Sequence, residues 1–166
     1  MFSLQKILVP VDFSDFSMNA LNYAVRLARK VDAKLFILHV ASPVFNEFMS
    51  ECRSSYKESY EDFEGRALTK VAQDLDNLLT SCPVSDAAQR AIRVGCPVSE
   101  ITSFAEEEDI DMIVMGTHGR TGLSHLIIGS VAERTVREAH CPVLTVRTPT
   151  VEKEEAPEFS PVFSIA

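Results

Sequence analysis

The chain has 166 residues, of which 46% are hydrophobic and 24% charged, a balance that is ordinary for a globular protein. Sixteen Lys and Arg residues against 24 Asp and Glu residues give a formal net charge of −8, which argues against nucleic acid as the main partner because phosphate backbones select basic surfaces. No apolar run approaches the length that crosses a membrane. A strand begins almost at the first residue, so we expect no signal peptide, no membrane partner, and one domain in the cytoplasm.

Thiols and imidazoles are the side chains most able to bind a soft metal. The cysteines have no paired spacing, and we expect them to be reduced thiols; they are Cys52, Cys82, Cys96 and Cys141. Three histidines lie in the same part of the chain as Cys141, which raises the idea of a zinc site; they are His118, His125 and His140. No two of these residues have the tight spacing of a zinc knuckle, so we expect no metal site there.

Strand-like and helix-like segments alternate through the first half of the chain. A near-continuous apolar run predicts a first strand over Gln5–Asp12, covered on both faces. An amphipathic helix is predicted over Ser14–Lys30 and a second buried strand over Lys34–Val40. The polar connection 41–57 is long enough to be a lid over a ligand, a short helix or a partner contact. A second amphipathic helix is predicted over Glu58–Leu79.

The alternation continues to residue 147. Ala87–Val94 mixes polar and apolar residues, which favours an edge strand, and Pro97 is typical of the first turn of a helix. The apolar run Ile110–Met115 predicts a buried strand, Val131–Glu138 a helix, and Pro142–Arg147 a last strand. Alternating strands and helices imply right-handed crossovers, so the sequence predicts an α/β fold with a mostly parallel sheet.

A glycine-rich segment joins the fourth strand to the last helix. It holds four of the six glycines, Gly116, Gly119, Gly122 and Gly129. A loop of this kind that ends at a helix N-terminus offers unpaired N–H groups and the positive end of the helix dipole, which suit a phosphate. Two simpler interpretations remain open: a glycine-containing turn, or a capping box between Ser130 and Glu133 that needs no ligand. The segment matches neither the Walker loop nor the short dinucleotide fingerprint.

A carboxylate, Asp12, ends the first predicted strand. It could cap the following helix, as could Ser14. It also lies where open α/β sheets bind ligands, at the carboxyl ends of the strands. His39 ends the second strand and is interpreted as a strand-end residue without a ligand role.

The spacing Gly116, two residues, Gly119, nine residues, Gly129-Ser130 resembles the nucleotide loop of the universal stress protein family. The opening Ile7–Ser14 and the continuation to Arg147 resemble the two ends of that domain, so the resemblance covers about residues 1–147. It implies an adenine nucleotide alpha hydrolase-like fold: a doubly wound, five-stranded parallel sheet in the order 3-2-1-4-5, with helices on both faces.

The resemblance also implies a ligand, because the family members that keep the complete glycine pattern bind ATP. We expect ATP here, alone or with Mg²⁺. Asp12 is expected near the adenosine or its metal ion, the main chain of Val40 near the adenine, and the glycines near the phosphates. The expected nucleotide-binding residues are Pro10, Val11, Asp12, Val40, Met115, Gly116, Gly119, Arg120, Gly129, Ser130 and Val131. Arg120 or Arg134 could add positive charge, although a solvated surface arginine is the simpler interpretation of each.

No Walker lysine and no evident base for an attacking water occur in the sequence, so we expect no catalytic residues and at most slow ATP hydrolysis. The family pairs its last strand with the same strand of a second subunit, which implies a homodimer through Pro142–Arg147. The expected function is a cytoplasmic ATP-binding stress or signalling module. The alternatives are a dimeric partner-binding protein that needs no nucleotide and, by fold analogy, a small adenylate-transferring enzyme.

The segment 148–166 lies beyond the resemblance. Its prolines and acidic run are typical of a disordered tail. Its end is nevertheless apolar, so the alternative is that it docks on the domain or on the dimer partner through Phe159, Val162, Phe163 and Ile165.

Overall fold

Five parallel strands form one sheet in the order β3-β2-β1-β4-β5. The computed structural model describes residues 4–42, 60–81, 88–117 and 129–147. The strands are β1 (Lys6–Pro10), β2 (Lys34–Ala41), β3 (Ala88–Val94), β4 (Met112–Gly116) and β5 (Val143–Val146). The helices are α1 (Asp15–Val31), α2 (Tyr60–Ser81), α3 (Pro97–Glu107) and α4 (Ser130–Glu138). The predicted parallel sheet and its strand order are confirmed.

The two faces of the sheet carry separate cores, because successive residues of a strand point to opposite sides. Ile7 and Val9 of β1 pack with residues of α1 and α2 on one face. Leu8, between them, packs with residues of α3 and α4 on the other face. All three side chains are fully buried. A strand buried on both faces needs the near-continuous apolar sequence that predicted it, and the helices lie on both faces as expected.

The edges of the sheet are β3 and β5. On β3, Gln89 and Arg90 are exposed, and the Arg90 guanidinium forms an ion pair with Asp76 of α2. The mixed polar and apolar sequence of β3 therefore predicted its edge position correctly. Each residue of β5 is half-buried in the single chain.

Several predicted boundaries were wrong by one or two residues. β1 ends at Pro10 instead of Asp12, because the chain turns there: Phe13 has φ 61°, which no strand residue adopts. β4 covers Met112–Gly116 instead of Ile110–Met115. The preceding Asp111 instead accepts hydrogen bonds from the backbone N–H groups of Gln5 and Lys6, each at 2.8 Å.

Two predicted segments fall mostly or wholly outside the described residues, namely the connection 41–57 beyond residue 42 and the tail 148–166. Among the helices that are described, none is both long and apolar enough to span a bilayer.

Candidate functional site

A cavity of about 580 Å³ lies at the carboxyl ends of the central strands. It is bordered by the ends of β1, β2 and β4 and by the first turn of α4. The strand order reverses between β1 and β4, so this is the switch point at which open α/β sheets bind ligands. The volume lies within the range of small-molecule sites.

The cavity brings together the predicted binding residues that the structure describes. Of the eleven predicted residues, nine are described and all nine line the cavity: Pro10, Val11, Asp12, Val40, Met115, Gly116, Gly129, Ser130 and Val131. The other two, Gly119 and Arg120, lie outside the described residues. Residues more than 100 positions apart in the chain thus meet in one crevice.

The first turn of α4 forms one wall of the cavity. Its N-cap is Gly129, which has no side chain with which to accept a hydrogen bond from the N–H groups of that turn. The Gly129 N–H donates to the Thr117 carbonyl oxygen at 2.6 Å, which ties the start of α4 to the end of β4. The helix therefore presents backbone amides at the crevice without a side-chain cap.

The alternative interpretation of Ser130 and Glu133 as a capping box is wrong. The helix begins at Ser130, so this serine occupies the first helical position and not the cap. A carboxylate of Glu133 instead accepts a hydrogen bond from Arg137 at 2.8 Å on the exposed face of α4. The Ser130 side chain is exposed at the cavity.

Gly116 and Gly129 of the loop differ in how strongly the structure requires a glycine at each position. Gly129 has φ −57° and ψ 148°, a conformation open to any residue, so the backbone does not require glycine there. Gly116 is required by packing: a Cβ atom would lie 2.8 Å from the carbonyl oxygen of Phe16 in the first turn of α1. Close approach by the protein's own backbone explains Gly116, whereas Gly129 lines the cavity and its backbone conformation does not demand a glycine.

The turn after β1 carries Asp12 into the cavity. Ser14, and not Asp12, is the N-cap of α1, because its Oγ accepts a hydrogen bond from the Ser17 N–H. Asp12 instead orients Ser14: its Oδ1 accepts from the Ser14 hydroxyl at 2.6 Å and from the Ser14 N–H at 3.1 Å. Of the two interpretations of Asp12, the structure removes the helix cap and leaves a carboxylate that lines the crevice.

Some cavity residues were not predicted. His39 is 7% exposed and lines the cavity, although its position suggested only a strand end. The available signal was a polar residue at the carboxyl end of a central strand. Ala67, Leu68 and Val71 of α2 also line the cavity. Their apolar stripe predicted burial, but it carried no information that the N-terminal half of α2 borders a crevice.

Arg134 does not line the cavity. Its guanidinium contacts Glu138, one turn along α4, at 3.2 Å on a surface where the arginine side chain is 54% exposed. Of the two interpretations of Arg134, the structure supports the solvated surface side chain, which a carboxylate on its own helix holds away from the cavity.

Two thiols differ in their surroundings. Cys96 is exposed at the N-cap of α3, where hydrogen bonds from the backbone and hydroxyl of Ser99 lower the pKa of its thiol. Burial raises the pKa of the Cys141 thiol. Within the described parts of the chain, no group of three or more His, Cys, Asp or Glu side chains could hold a metal ion; His118 and His125 lie outside them.

Comparison with known proteins agrees with this fold. The profile of the universal stress protein family matches residues 3–147. The chain is 35% identical to Universal stress protein MJ0531 of Methanocaldococcus jannaschii over 150 residues, which cover 89% of this chain and 85% of that protein.

Two solved structures are also similar. The structure of MJ0577, from the same archaeon, is 26% identical, covers 90% of this chain and 100% of its own, and superposes with a TM-score of 0.75. A universal stress protein in complex with cAMP is 25% identical, with coverage of 88% and 98% and a TM-score of 0.56. The matched profile, the relative and the shared fold lead to one conclusion: the chain belongs to the universal stress protein family.

Proposed function

We propose that the cavity binds ATP, alone or with Mg²⁺, and that the protein is a cytoplasmic stress-response or signalling module. The observation that carries this proposal is the first turn of α4, which reaches the switch-point crevice with glycine as its N-cap and therefore without a hydrogen bond from a cap side chain. The first turn of a helix offers backbone N–H donors together with the positive end of the helix dipole, and both favour phosphate oxygens.

The remaining cavity residues fit the other parts of the nucleotide. A carboxylate accepts hydrogen bonds or binds a cation, so Asp12 suits the ribose hydroxyls or a magnesium ion. The main chain at Val40, on the other side of the crevice, offers peptide groups to the edge of the adenine, and Met115 adds an apolar surface. Gly116, Gly129, Ser130 and Val131 form the phosphate side, and we propose that Gly119 and Arg120 complete it.

The comparisons support a nucleotide as the ligand of this protein. The similar protein crystallised with cAMP carries an adenine nucleotide, and its fold is shared with this chain. The volume of about 580 Å³ is large enough for a ligand of that size class. We expect slow ATP hydrolysis at most, because the sequence has no Walker lysine and no evident base to activate an attacking water.

We also propose that the protein is a homodimer through Pro142–Arg147. β5 is an edge strand whose residues are half-buried in one chain. The carbonyl oxygens of Pro142 and Val146 accept hydrogen bonds from the N–H groups of Ile113 and Thr117, on the β4 side. The N–H and C=O groups of successive strand residues point alternately to the two sides of the strand. Those of Val143 and Thr145 therefore face the open edge, where a second strand can pair.

The first experiment identifies what the protein binds. The purified chain is denatured and the released small molecules are identified by mass spectrometry, and ATP is titrated calorimetrically into nucleotide-free protein. Bound ATP or ADP supports the proposal. Repeated absence of both, with no heat of binding, favours the partner-binding alternative. Turnover to AMP and pyrophosphate favours the adenylate-transferring enzyme.

A matched pair of variants tests where the nucleotide binds. Gly129→Val keeps a backbone conformation that valine adopts, so the chain should fold. The added side chain would stand at the first turn of α4, where the phosphates are proposed to bind, and should abolish ATP binding. Gly65→Val places the same side chain on an exposed part of α2, where a Cβ meets nothing within 4 Å, and should bind ATP as the wild type does. Unchanged affinity in the folded Gly129→Val variant would show that the phosphates lie elsewhere.

A further inference from the structure

The turn from Val11 to Ser14 is held in a conformation that its sequence does not favour. Phe13 has φ 61°, in the left-handed region that a bulky aromatic residue rarely adopts. Such a conformation persists only where the surrounding structure fixes it. The turn includes Asp12, whose carboxylate lines the cavity, so whatever fixes the turn also fixes Asp12.

His39 contacts this turn on both sides of Asp12. Its Nδ1 lies 2.8 Å from the carbonyl oxygen of Val11. Because a carbonyl oxygen only accepts, Nδ1 carries the proton and donates. The imidazole also lies against the ring of Phe13, with 5.0 Å between the ring centroids and 35° between the planes. One buried side chain thus holds the residue before Asp12 and the residue after it.

α1 fixes the same turn from the opposite direction. The Asp12 N–H donates to the Ser17 Oγ at 3.3 Å, and the Ser14 hydroxyl donates to the Asp12 Oδ1 at 2.6 Å. These contacts orient the carboxylate relative to α1. His39, which belongs to β2, supplies the link from the turn to the neighbouring strand, where the Val11 N–H also bonds the Leu38 carbonyl at 2.8 Å.

We propose that His39 is a positioning residue for nucleotide binding: it holds the Val11–Phe13 turn so that the Asp12 carboxylate meets the nucleotide. This inference rests on the proposed function of the cavity. His39 acts through Asp12, and its own contact with the nucleotide is not required. The proposal therefore predicts that the two residues are energetically coupled and that a donor in place of the imidazole restores part of the affinity.

The test measures ATP affinity by calorimetry in the full chain, in the presence of Mg²⁺. His39→Leu removes the donor and the aromatic ring, and should weaken binding about tenfold, the loss expected for about one hydrogen bond. His39→Asn places an amide donor near the position of Nδ1 and should recover most of that loss. The double variant His39→Leu with Asp12→Ala should bind no more weakly than Asp12→Ala alone.

His140→Leu is the matched control, because His140 is a partly exposed histidine outside the cavity; it should bind ATP as the wild type does. Folding of every variant is checked by circular dichroism. If His39→Leu does not fold, Phe13→Ala removes the ring contact without altering β2, and its affinity loss should likewise vanish in the Asp12→Ala background.

The outcomes separate the two proposals. If the wild-type chain binds no adenine nucleotide, the proposed function fails and the role of His39 falls with it. If the wild type binds ATP but folded His39→Leu binds it equally well, only the positioning role is overturned. Additive losses in the double variant, or no recovery in His39→Asn, also overturn it, since a merely structural histidine would give either result.

Discussion

Gly116 provides the sharpest test of the fold, because its role can be worked out without any ligand. It is the last residue of β4 and is buried against the first turn of α1. A methyl group added there would lie 2.8 Å from the carbonyl oxygen of Phe16 and 2.9 Å from its carbonyl carbon. Both are backbone atoms of a helix, so they cannot rotate away as the end of a side chain can.

The cost of Gly116→Ala follows from that geometry. β4 and α1 must separate locally, and overpacking of this kind costs about 1–3 kcal/mol of unfolding free energy. Gly65→Ala should change the free energy of unfolding in the opposite direction. Gly65 is exposed within α2 and a Cβ there meets nothing within 4 Å, so alanine should stabilise the protein by about 0.5–1 kcal/mol through helix propensity.

Equilibrium urea unfolding, followed by circular dichroism, measures both variants without added nucleotide. The midpoint should fall for Gly116→Ala and rise for Gly65→Ala, with similar slopes. In thermal unfolding, each kcal/mol should correspond to roughly 2–4 °C for a chain of this size. Wild-type stability of Gly116→Ala would refute the close approach of β4 to α1. Ligand binding would then be the remaining explanation for a glycine at this position.

Two further predictions concern the thiols and the sheet edge. At neutral pH, Cys96 should react with iodoacetamide faster than Cys141, because a lowered thiol pKa gives more thiolate at a given pH and a raised pKa gives less. Peptide mapping by mass spectrometry measures both labelling rates, and faster labelling of Cys141 would contradict the prediction. Thr145→Pro should convert the proposed dimer to a monomer without loss of circular dichroism signal, because it removes an N–H group at the open edge of the sheet while the hydrogen bonds from β5 to β4 remain. Light scattering on a size-exclusion column measures the mass, and an unchanged dimer would show that the subunits do not pair through β5.

The larger elements could be predicted because their patterns are strong. Ile7, Leu8 and Val9 are apolar without interruption, which is typical of a strand covered on both faces. The polar residues Gln89 and Arg90 likewise indicated an edge. The strand order came from the family resemblance, which local patterns cannot supply because they carry no information about which strands are neighbours.

The site was predicted less completely, for a local reason in each case. Ser130 and Glu133 have the spacing of a capping box, but α4 starts one residue too early for it. The difference is one residue, which is within the uncertainty of any helix boundary read from sequence. His39 was interpreted as a strand end because its partners, Val11 and Phe13, lie 28 and 26 positions earlier in the chain and only the pairing of β1 with β2 brings them together.

By itself the sequence determined the alternation of strands and helices, the glycine-rich joint before α4 and a carboxylate at the end of β1, since each depends on residues that are close in the chain. The family resemblance had placed Asp12, Val40 and Gly129 around one ligand, and the fold brings them to the border of one crevice. Tertiary structure alone decided that Gly116 must be small because of Phe16 and that a histidine of β2 holds the turn of Asp12. These are contacts between distant segments, and their geometry exists only once the strands have paired and the helices have packed against them.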